Sequence, residues 1–355
     1  MDVYVLDKNF KKIDIIDDYT SLIWTTRYYT PGDFELYVAV SLPLINTLQL
    51  GRYLVREKDI ETDGTLRNVM RIDAVKLSTS EENGDYLTVT GKDLKNILAQ
   101  RVTASQTVIN SKIDTALTRL LTLHVTNPGD PKRRIASVRR GSDATTYNET
   151  IRLQSTGKPL TEVIEGMCEG AQVGWDVYVK DGLIYYYLYD GIDRSYGQTA
   201  YPYVVISPEF DNLISSEYQT SKETFANAAY VAGEGEGEAR KIVGVGDAQG
   251  IDRFETWIDN RNASSNNGAI SDQEYRRQLR QDGLDKLAQK DISTKLAGEI
   301  ASDVNYVLGR DYNLGDIVQI DTGYGIQAKS RIVEVIDSIS QDGETIIPTF
   351  DEMVL

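Results

Sequence analysis

The stretch 233-GEGEGEARKIVGVGDAQG-250 decides between two folds. Six of its residues are glycine, and it lies between an apolar run (Ala228, Ala229, Tyr230, Val231, Ala232) and the mixed run Ile251 to Ile258. As a phosphate-cradling loop it would mark a nucleotide-binding α/β protein. As a hairpin tip it would mark a β protein. A dinucleotide loop needs G-x-G-x-x-G opening a helix, so that backbone N–H groups face the pyrophosphate. The spacing fails twice: Gly235 and Gly237 lead to Arg240, and Gly244 and Gly246 lead to Gln249. The following run, Ile251-Asp252-Arg253-Phe254-Glu255-Thr256-Trp257-Ile258, alternates as a strand does. Glu234, Glu236 and Glu238 would repel a phosphate, and no G-x-x-x-x-G-K-[ST] occurs anywhere. The stretch reads as an acidic hairpin tip between the strands at 228–232 and 251–258.

Composition agrees with a mainly β (α+β) protein. The chain has 355 residues, enough for two or three domains, and 41% are hydrophobic, so sizeable cores can form. Tyrosine is abundant, 22 against 6 phenylalanines, and amphipathic aromatics suit sheets and interfaces. The charge balance is −16, which opposes sequence-specific or non-specific binding to nucleic acid and to anionic membranes. One cysteine, Cys168, excludes an intrachain disulfide framework. The start, MDVYVLDKNF, is unlike a signal peptide, and no apolar run is long enough to span a membrane.

Around the central stretch the chain falls into three parts. The first hundred residues read as strands: Val3 to Leu6, Ser21 to Tyr29, Phe34 to Val38, Leu50 to Val55, Asn68 to Ser78 and Tyr86 to Thr90, with a hairpin turn at Asn83-Gly84. Helical spacing follows at Leu94, Ile97 and Leu98. From about Ser111 to Thr199 a different module appears. Ser111 is expected to cap a helix carrying Ile113, Leu117, Leu120 and Leu121. Residues 126–142 read as loop, a short helix spans about Pro159 to Glu169, and a hairpin turns at Asp181-Gly182. The last part holds one long helix, 271–289, opened by the capping box of Ser271 and Glu274, with Tyr275, Leu279 and Leu287 as its apolar stripe. Gly283 weakens it by about 1 kcal/mol. Strands resume at Ser293 to Glu299, Leu314 to Asp321, Gln327 to Ser338 and Glu344 to Phe350.

The two ends echo each other. Leu50-Gly51-Arg52-Tyr53-Leu54-Val55 is followed by Arg71-Ile72-Asp73-Ala74-Val75 and a turn at Asn83-Gly84. Leu314-Gly315-Asp316-Ile317-Val318 is followed by Arg331-Ile332-Val333-Glu334-Val335 and a turn at Asp342-Gly343. Both read strand, loop, long strand, turn, strand. Such an echo predicts two similar barrels, and a trimer would then present six similar units to a six-fold ring.

Nothing in the sequence announces chemistry. The single histidine, His124, follows an apolar helical segment and is expected to pack, and Cys168 is expected to pack in the short helix. Asp247 to Asp252 lacks the ligand series of a calcium loop. Lys132-Arg133-Arg134 with Arg139-Arg140 reads as the one basic cluster, a solvated loop or a contact for an acidic neighbour. No catalytic, cofactor-binding or metal-ligating residue is assigned.

Several segments in order resemble one family. The run 87-LTVTGKDLKNILAQRV-102 resembles the strand, G-[KR]-D-L, helix, R segment of phage tail hub proteins. The stretch 191-GIDRS-195 with 203-YVVISPEFDNLISSEY-218 resembles their G-x-D-R-S … F-S-x-E-x-x-N-L signature, with Ile206 where phenylalanine is common. The stretch 226-ANAAYVAGEGEG-237 is similar to their N-x-x-Y-V-x-G-x-G-x-G hairpin, and 314-LGDIVQI-320 to their late L-G-D-x-V strand. The resemblance implies the baseplate or tail-tip hub of a long-tailed, siphovirus-type phage. It implies two β-barrel hub domains with an inserted α/β domain. The first would span 1–103, completed by about 200–222; the insertion 104–199; the second 223–355, including helix 271–289. It implies a homotrimer at the virion tail tip, made in the host cytoplasm. Its partners would be the distal tail and tape measure proteins and a fibre or spike, with DNA leaving through its lumen. The chain stops soon after its last strand, so an appended lysin module is not expected. The alternatives are a tail-associated cell-wall hydrolase and a receptor- or glycan-binding module, the latter prompted by Tyr185-Tyr186-Tyr187-Leu188-Tyr189.

Overall fold

The computed structural model describes residues 1–81, 84–261, 263, 265, 270–300, 306–341 and 343–351. Two compact units result, Met1–Ser215 with Gly298–Asp351, and Ser216–Ala297. In chain order the first hundred residues form β1 (Val3–Leu6), β2 (Lys12–Ile16), β3 (Ser21–Arg27), β4 (Asp33–Ala39), α1 (Leu42–Thr47), β5 (Tyr53–Arg56), β6 (Leu66–Arg67), β7 (Met70–Ser78) and β8 (Tyr86–Asp93). A 3-10 helix, Leu94–Gln100, follows. The next part holds β9 (Thr107–Lys112), α2 (Ile113–Leu121), β10 (Val138–Arg140), β11 (Thr150–Ser155), α3 (Leu160–Gly170), β12 (Gly174–Lys180), β13 (Leu183–Tyr189) and β14 (Val205–Ile206). Then come β15 (Leu213–Ser221), β16 (Ala228–Ala232), β17 (Ile242–Val245), β18 (Glu255–Asp259), α4 (Asp272–Ala288) and β19 (Ser293–Ile300). The chain closes with β20 (Ile317–Asp321), β21 (Gln327–Ser340) and β22 (Gly343–Phe350).

Alternation builds the main sheet. In β4, Phe34, Leu36 and Val38 are buried while Glu35 and Ala39 face solvent, the period of a half-buried strand. Val3, Val5, Leu22, Trp24, Leu54, Met70, Ile72, Leu87 and Val89 join them in one core, each large side chain worth about 1.5–3 kcal/mol of burial. Eleven strands share the sheet, in the order β14-β20-β21-β3-β4-β8-β7-β5-β1-β2, with β22 paired to β21. Among the described residues the path ends at β2 and β14.

The echo is a repeated backbone frame. Tyr53 pairs with Arg71, and Ile317 with Arg331. The Gly51 N–H donates to Ile72 O (2.9 Å) and the Ile72 N–H to Arg52 O (2.8 Å). Likewise the Gly315 N–H donates to Ile332 O (2.8 Å) and the Ile332 N–H to Asp316 O (2.9 Å). Each long strand bulges at the next residue, between Ile72 and Ala74 and between Ile332 and Glu334, before its turn and antiparallel return. Both leading glycines have positive φ, +76° and +95°, which glycine adopts without steric cost. Of the two turns, Glu82, Asn83 and Asp342 lie outside the described residues. The frames β5/β7/β8 and β20/β21/β22 are joined by the antiparallel pair β3 and β4, since β4 pairs with β8 and β3 with β21. Buried Arg56 adds an ion pair to Asp337 (2.6 Å), and Lys58 links Asp337 to Glu344.

A second core lies between α2, α3, the 3-10 helix and β12/β13. Alternation again explains it: Ile184, Tyr186 and Leu188 are buried, and the Tyr186 hydroxyl donates to Leu94 O (2.7 Å). Two expectations need correction. Ser111 does not cap α2; it belongs to β9, and Lys112 occupies the cap without a side-chain bond. Strand tendency carried through Ser111 because its neighbours pair with β11. Residues 126–142 are not all loop, since β10 lies parallel to β13. Short parallel strands lack the alternation that would reveal them.

In the smaller unit, β16 and β17 form the hairpin, Val231 opposite Val243, and α4 covers one face with Tyr275 and Leu279. Ser271 caps α4 by accepting the Glu274 N–H (3.2 Å). Gly283 offsets its helix cost by contact: a Cβ there would stand 2.4 Å from Val231 Cγ2. The hairpin partner of 228–232 is therefore Ile242–Val245, inside the glycine stretch, and not 251–258. The latter becomes β18, parallel to β16, which a tight turn cannot join.

His124 sits in the turn after α2, buried, with Nε2 3.1 Å from Thr107 Oγ1. Burial, then Arg133, lowers its pKa from 6.5. The unfolded chain protonates first as pH falls, so the stability contributed by neutral His124 is complete above about 6.5 and is lost as pH drops towards the folded value. Asp93, pushed up to about 6 chiefly by burial, acts in the opposite sense between 3.8 and 6. Comparison with His124→Gln isolates the histidine. Urea unfolding at pH 7 and pH 5 should show wild type losing more stability than the variant on acidification; equal losses would contradict this account.

Candidate functional site

Among the described residues, the candidates for chemistry that the sequence offers lie apart. Cys168 is fully buried in α3, and burial pushes its thiol far up, away from nucleophilic thiolate. His124 bonds to Thr107. Among the described residues no group of three or more His, Cys, Asp or Glu is placed to hold a metal. In the Asp247–Asp252 segment, Arg253 Nη1 donates to the carbonyls of Gly246 (3.2 Å) and Ala248 (2.9 Å), so the loop is built on a cation of the chain. The expected basic cluster is dispersed: Arg133 Nη2 donates to Val102 O, and Arg140 pairs with Asp143. It is also not the sole one, for Lys8, Lys11 and Lys12 gather on the β1–β2 turn. Glu234, in the glycine hairpin, accepts the Ser265 N–H (2.9 Å).

What does assemble is a clasp of the quoted motifs, centred on Tyr28. This tyrosine follows β3 directly, and its ring is fully buried. Its N–H donates to Val333 O (2.8 Å), the carbonyl at the bulge of β21. Its hydroxyl donates to Tyr189 O and accepts the Gly191 N–H, both at 3.3 Å. Burial pushes the phenol up and keeps it neutral. Gly174 and Gly315 press against the ring, where a Cβ would stand 2.2 and 2.3 Å from its Cε2. Arg331 covers the ring at 5.1 Å and donates to Gly315 O (2.7 Å).

Around this ring the G-x-D-R-S and L-G-D-x-V motifs interlock. Arg194 Nε donates to Asp316 Oδ2 (2.7 Å), a buried ion pair. The other oxygen of Asp316 accepts the Ile192 N–H (2.7 Å). The Arg194 N–H donates to Ile317 O and the Ile317 N–H to Ile192 O. Gly191 is required by contact, since a Cβ would meet Gly315 O at 1.8 Å. The asparagine of 203–218 works alike: Asn212 accepts the Ser207 N–H (2.8 Å) and donates to Val205 O (2.9 Å).

The G-K-D-L segment is a third clasp. A Cβ on Gly91 would lie 1.8 Å from Arg71 O. Asp93 accepts the N–H of Gly32 (2.7 Å) and of Lys95 (2.9 Å), capping the 3-10 helix. Buried Lys95 donates to Arg27 O (2.5 Å) and lies over Trp175. These motif residues bind one another. Tyr28 itself was missed in the sequence, where it reads as one more strand residue. Gly315→Ala should cost about 2–4 kcal/mol, by left-handed strain plus overpacking on Tyr28. Gly309→Ala, also at positive φ (+86°) but with nothing within 4 Å, should cost about 1 kcal/mol. Equal denaturation midpoints for the two would refute the clasp.

Curated proteins give no match. Among solved structures, the fold is similar to that of the tail protein from Neisseria meningitidis, with TM-score 0.53 and 14% identity over 98% of this chain and 96% of that one. It is similar to a 43 kDa tail protein of a Shewanella oneidensis prophage, with TM-score 0.55 and 12% identity over 99% and 98% of the two chains. A prophage tail protein from Listeria monocytogenes gives 0.54 and 11% over 99% and 95%. These likenesses concern the fold. A family model described as Siphovirus ReqiPepy6 Gp37-like protein matches residues 2–350, a span that takes in both repeated frames and all three clasps. The chain belongs to the Siphovirus ReqiPepy6 Gp37-like protein family.

Proposed function

We propose that this chain is a structural virion protein, the trimeric hub at the tip of a long-tailed phage tail. The observation that carries the reading is the duplicated frame, β5/β7/β8 and β20/β21/β22, with the same hydrogen bonds and bulge in each copy. One chain offers two equivalent surfaces, so three chains around an axis offer six. That is the geometry needed to meet a six-fold ring with a three-fold protein. The fold shared with phage tail proteins supports the same reading.

In this proposal residues 1–103, completed by about 200–222, form the first hub barrel, 104–199 the inserted α/β domain and 223–355 the second, with β21 and β3 as the ladder joining them. The hub closes the distal end of the tail tube at the virion tip. It links distal tail and tape measure proteins to a fibre or spike, and lets DNA out at infection. A charge of −16 supports passage of DNA without adhesion. The role is one of assembly, without catalysis. Of the tyrosines that prompt the glycan reading, Tyr186 is buried and Tyr185 stacks on Tyr178 at 4.9 Å, while Tyr185, Tyr187 and Tyr189 stay half-buried.

Light scattering of the purified chain, alone and with its distal tail protein, tests the proposal. The expected mass is three times 39.7 kDa per hub. A chain that stays monomeric with its partner present would refute it.

A further inference from the structure

A groove with an estimated volume of about 960 Å³ opens between two hairpin tips of the larger unit. One tip is the β1–β2 turn, the other Asp181-Gly182 of the β12–β13 turn. They approach closely, for a Cβ on Gly182 would lie 3.7 Å from Asn9 O. The first tip is tied by its own hydrogen bonds. Asp7 Oδ1 accepts the N–H groups of Asn9 (2.8 Å) and Lys11 (2.9 Å), and the Phe10 N–H donates to Asp7 O (3.0 Å). The turn holds Phe10 at φ +61°, a conformation that bulky side chains rarely adopt. That backbone places the Phe10 ring against Tyr53, 4.6 Å between centroids.

The groove has an apolar floor and a cationic rim. Ile60, Leu66, Val179 and Ile184 line it beside the Phe10–Tyr53 pair. Lys8, Lys11 and Lys12 stand among the lining residues with one carboxylate, Asp181, while Asp7, in the same turn as the lysines, is engaged by the N–H groups of Asn9 and Lys11. In a chain of charge −16 this local excess of cations is unusual. Four other lysines of the larger unit have an acid partner, Lys58 with Asp337, Lys95 with Asp93, Lys180 with Asp63 and Lys329 with Asp193. Lys8, Lys11 and Lys12 make no ion pair among the described residues; Lys12 rests over the Tyr4 ring at 3.6 Å.

We propose that this groove docks an acidic, extended peptide segment of a partner protein. An apolar side chain of the segment seats on the Phe10–Tyr53 floor, and its carboxylates meet the three lysines. Screening limits the attraction to about 8–10 Å, so a short segment feels the local rim and not the net charge. A long nucleic acid would extend past the rim into the repelling field, and its phosphates have nothing to offer the apolar floor.

Fluorescence anisotropy on the full chain tests this, with a short labelled peptide alternating aspartate and leucine, and the same peptide with asparagine for aspartate. The acidic peptide should bind saturably and at least about tenfold more tightly than its neutral counterpart. Lys8→Gln with Lys11→Gln, both exposed positions, should weaken it about tenfold or more. Ala136→Trp fills the groove without changing charge and should also block it; the lysine variants keep the test valid if this one misfolds. Equal binding of both peptides, or wild-type affinity in the lysine variants, would overturn the proposal. So would an oligothymidylate that competes as well as the acidic peptide, or a loss of self-association in the lysine variants, which would make a second copy the occupant.

Discussion

One buried ring holds the larger unit together. Tyr28 leaves β3 at the point where the N-terminal strands, the β12–β13 region and the C-terminal frame meet. Two glycines must stand against it, because any side chain there would occupy its space. Its backbone is tied to the bulge of β21 and its hydroxyl to the backbone around Tyr189. Close packing of this kind has little room to relax, so it transmits strain and fixes geometry. The Arg194–Asp316 pair adds direction, since a buried carboxylate with both oxygens occupied accepts few other arrangements.

The same constraint explains why the two repeated frames can serve as a scaffold. Each begins at a glycine of positive φ, bulges after a buried isoleucine and returns. A bulge raises the local twist and bends the strand. It stands at the equivalent place in both frames. The clasp then joins the second frame to the body of the unit, so that two like surfaces are held by one rigid core. The proposed hub would need just this, like surfaces fixed relative to each other.

Much of this was legible in the sequence. Period-two alternation found the long antiparallel strands, such as β4 with Phe34, Leu36 and Val38. The capping residue Ser271 and the stripe of Tyr275 and Leu279 found α4. The echo of Gly51 and Gly315 was visible because glycine at positive φ and the strand order leave a pattern in one dimension. What escaped needed three. β10 pairs in parallel with a strand far along the chain, and Val243 pairs with Val231 inside what read as a turn. The importance of Tyr28 comes from Gly174, Gly191 and Gly315, none near it in sequence. The cationic groove likewise joins Lys8 and Lys11 to a hairpin beyond residue 179.

The central claim is that duplication within the chain serves a ring. Electron microscopy of the assembled tail tip tests it most directly. The account predicts three copies about the tail axis, with the frames β5/β7/β8 and β20/β21/β22 alternating at equal radius as six like units. A copy number other than three, or frames at different radii that meet different neighbours, would contradict it.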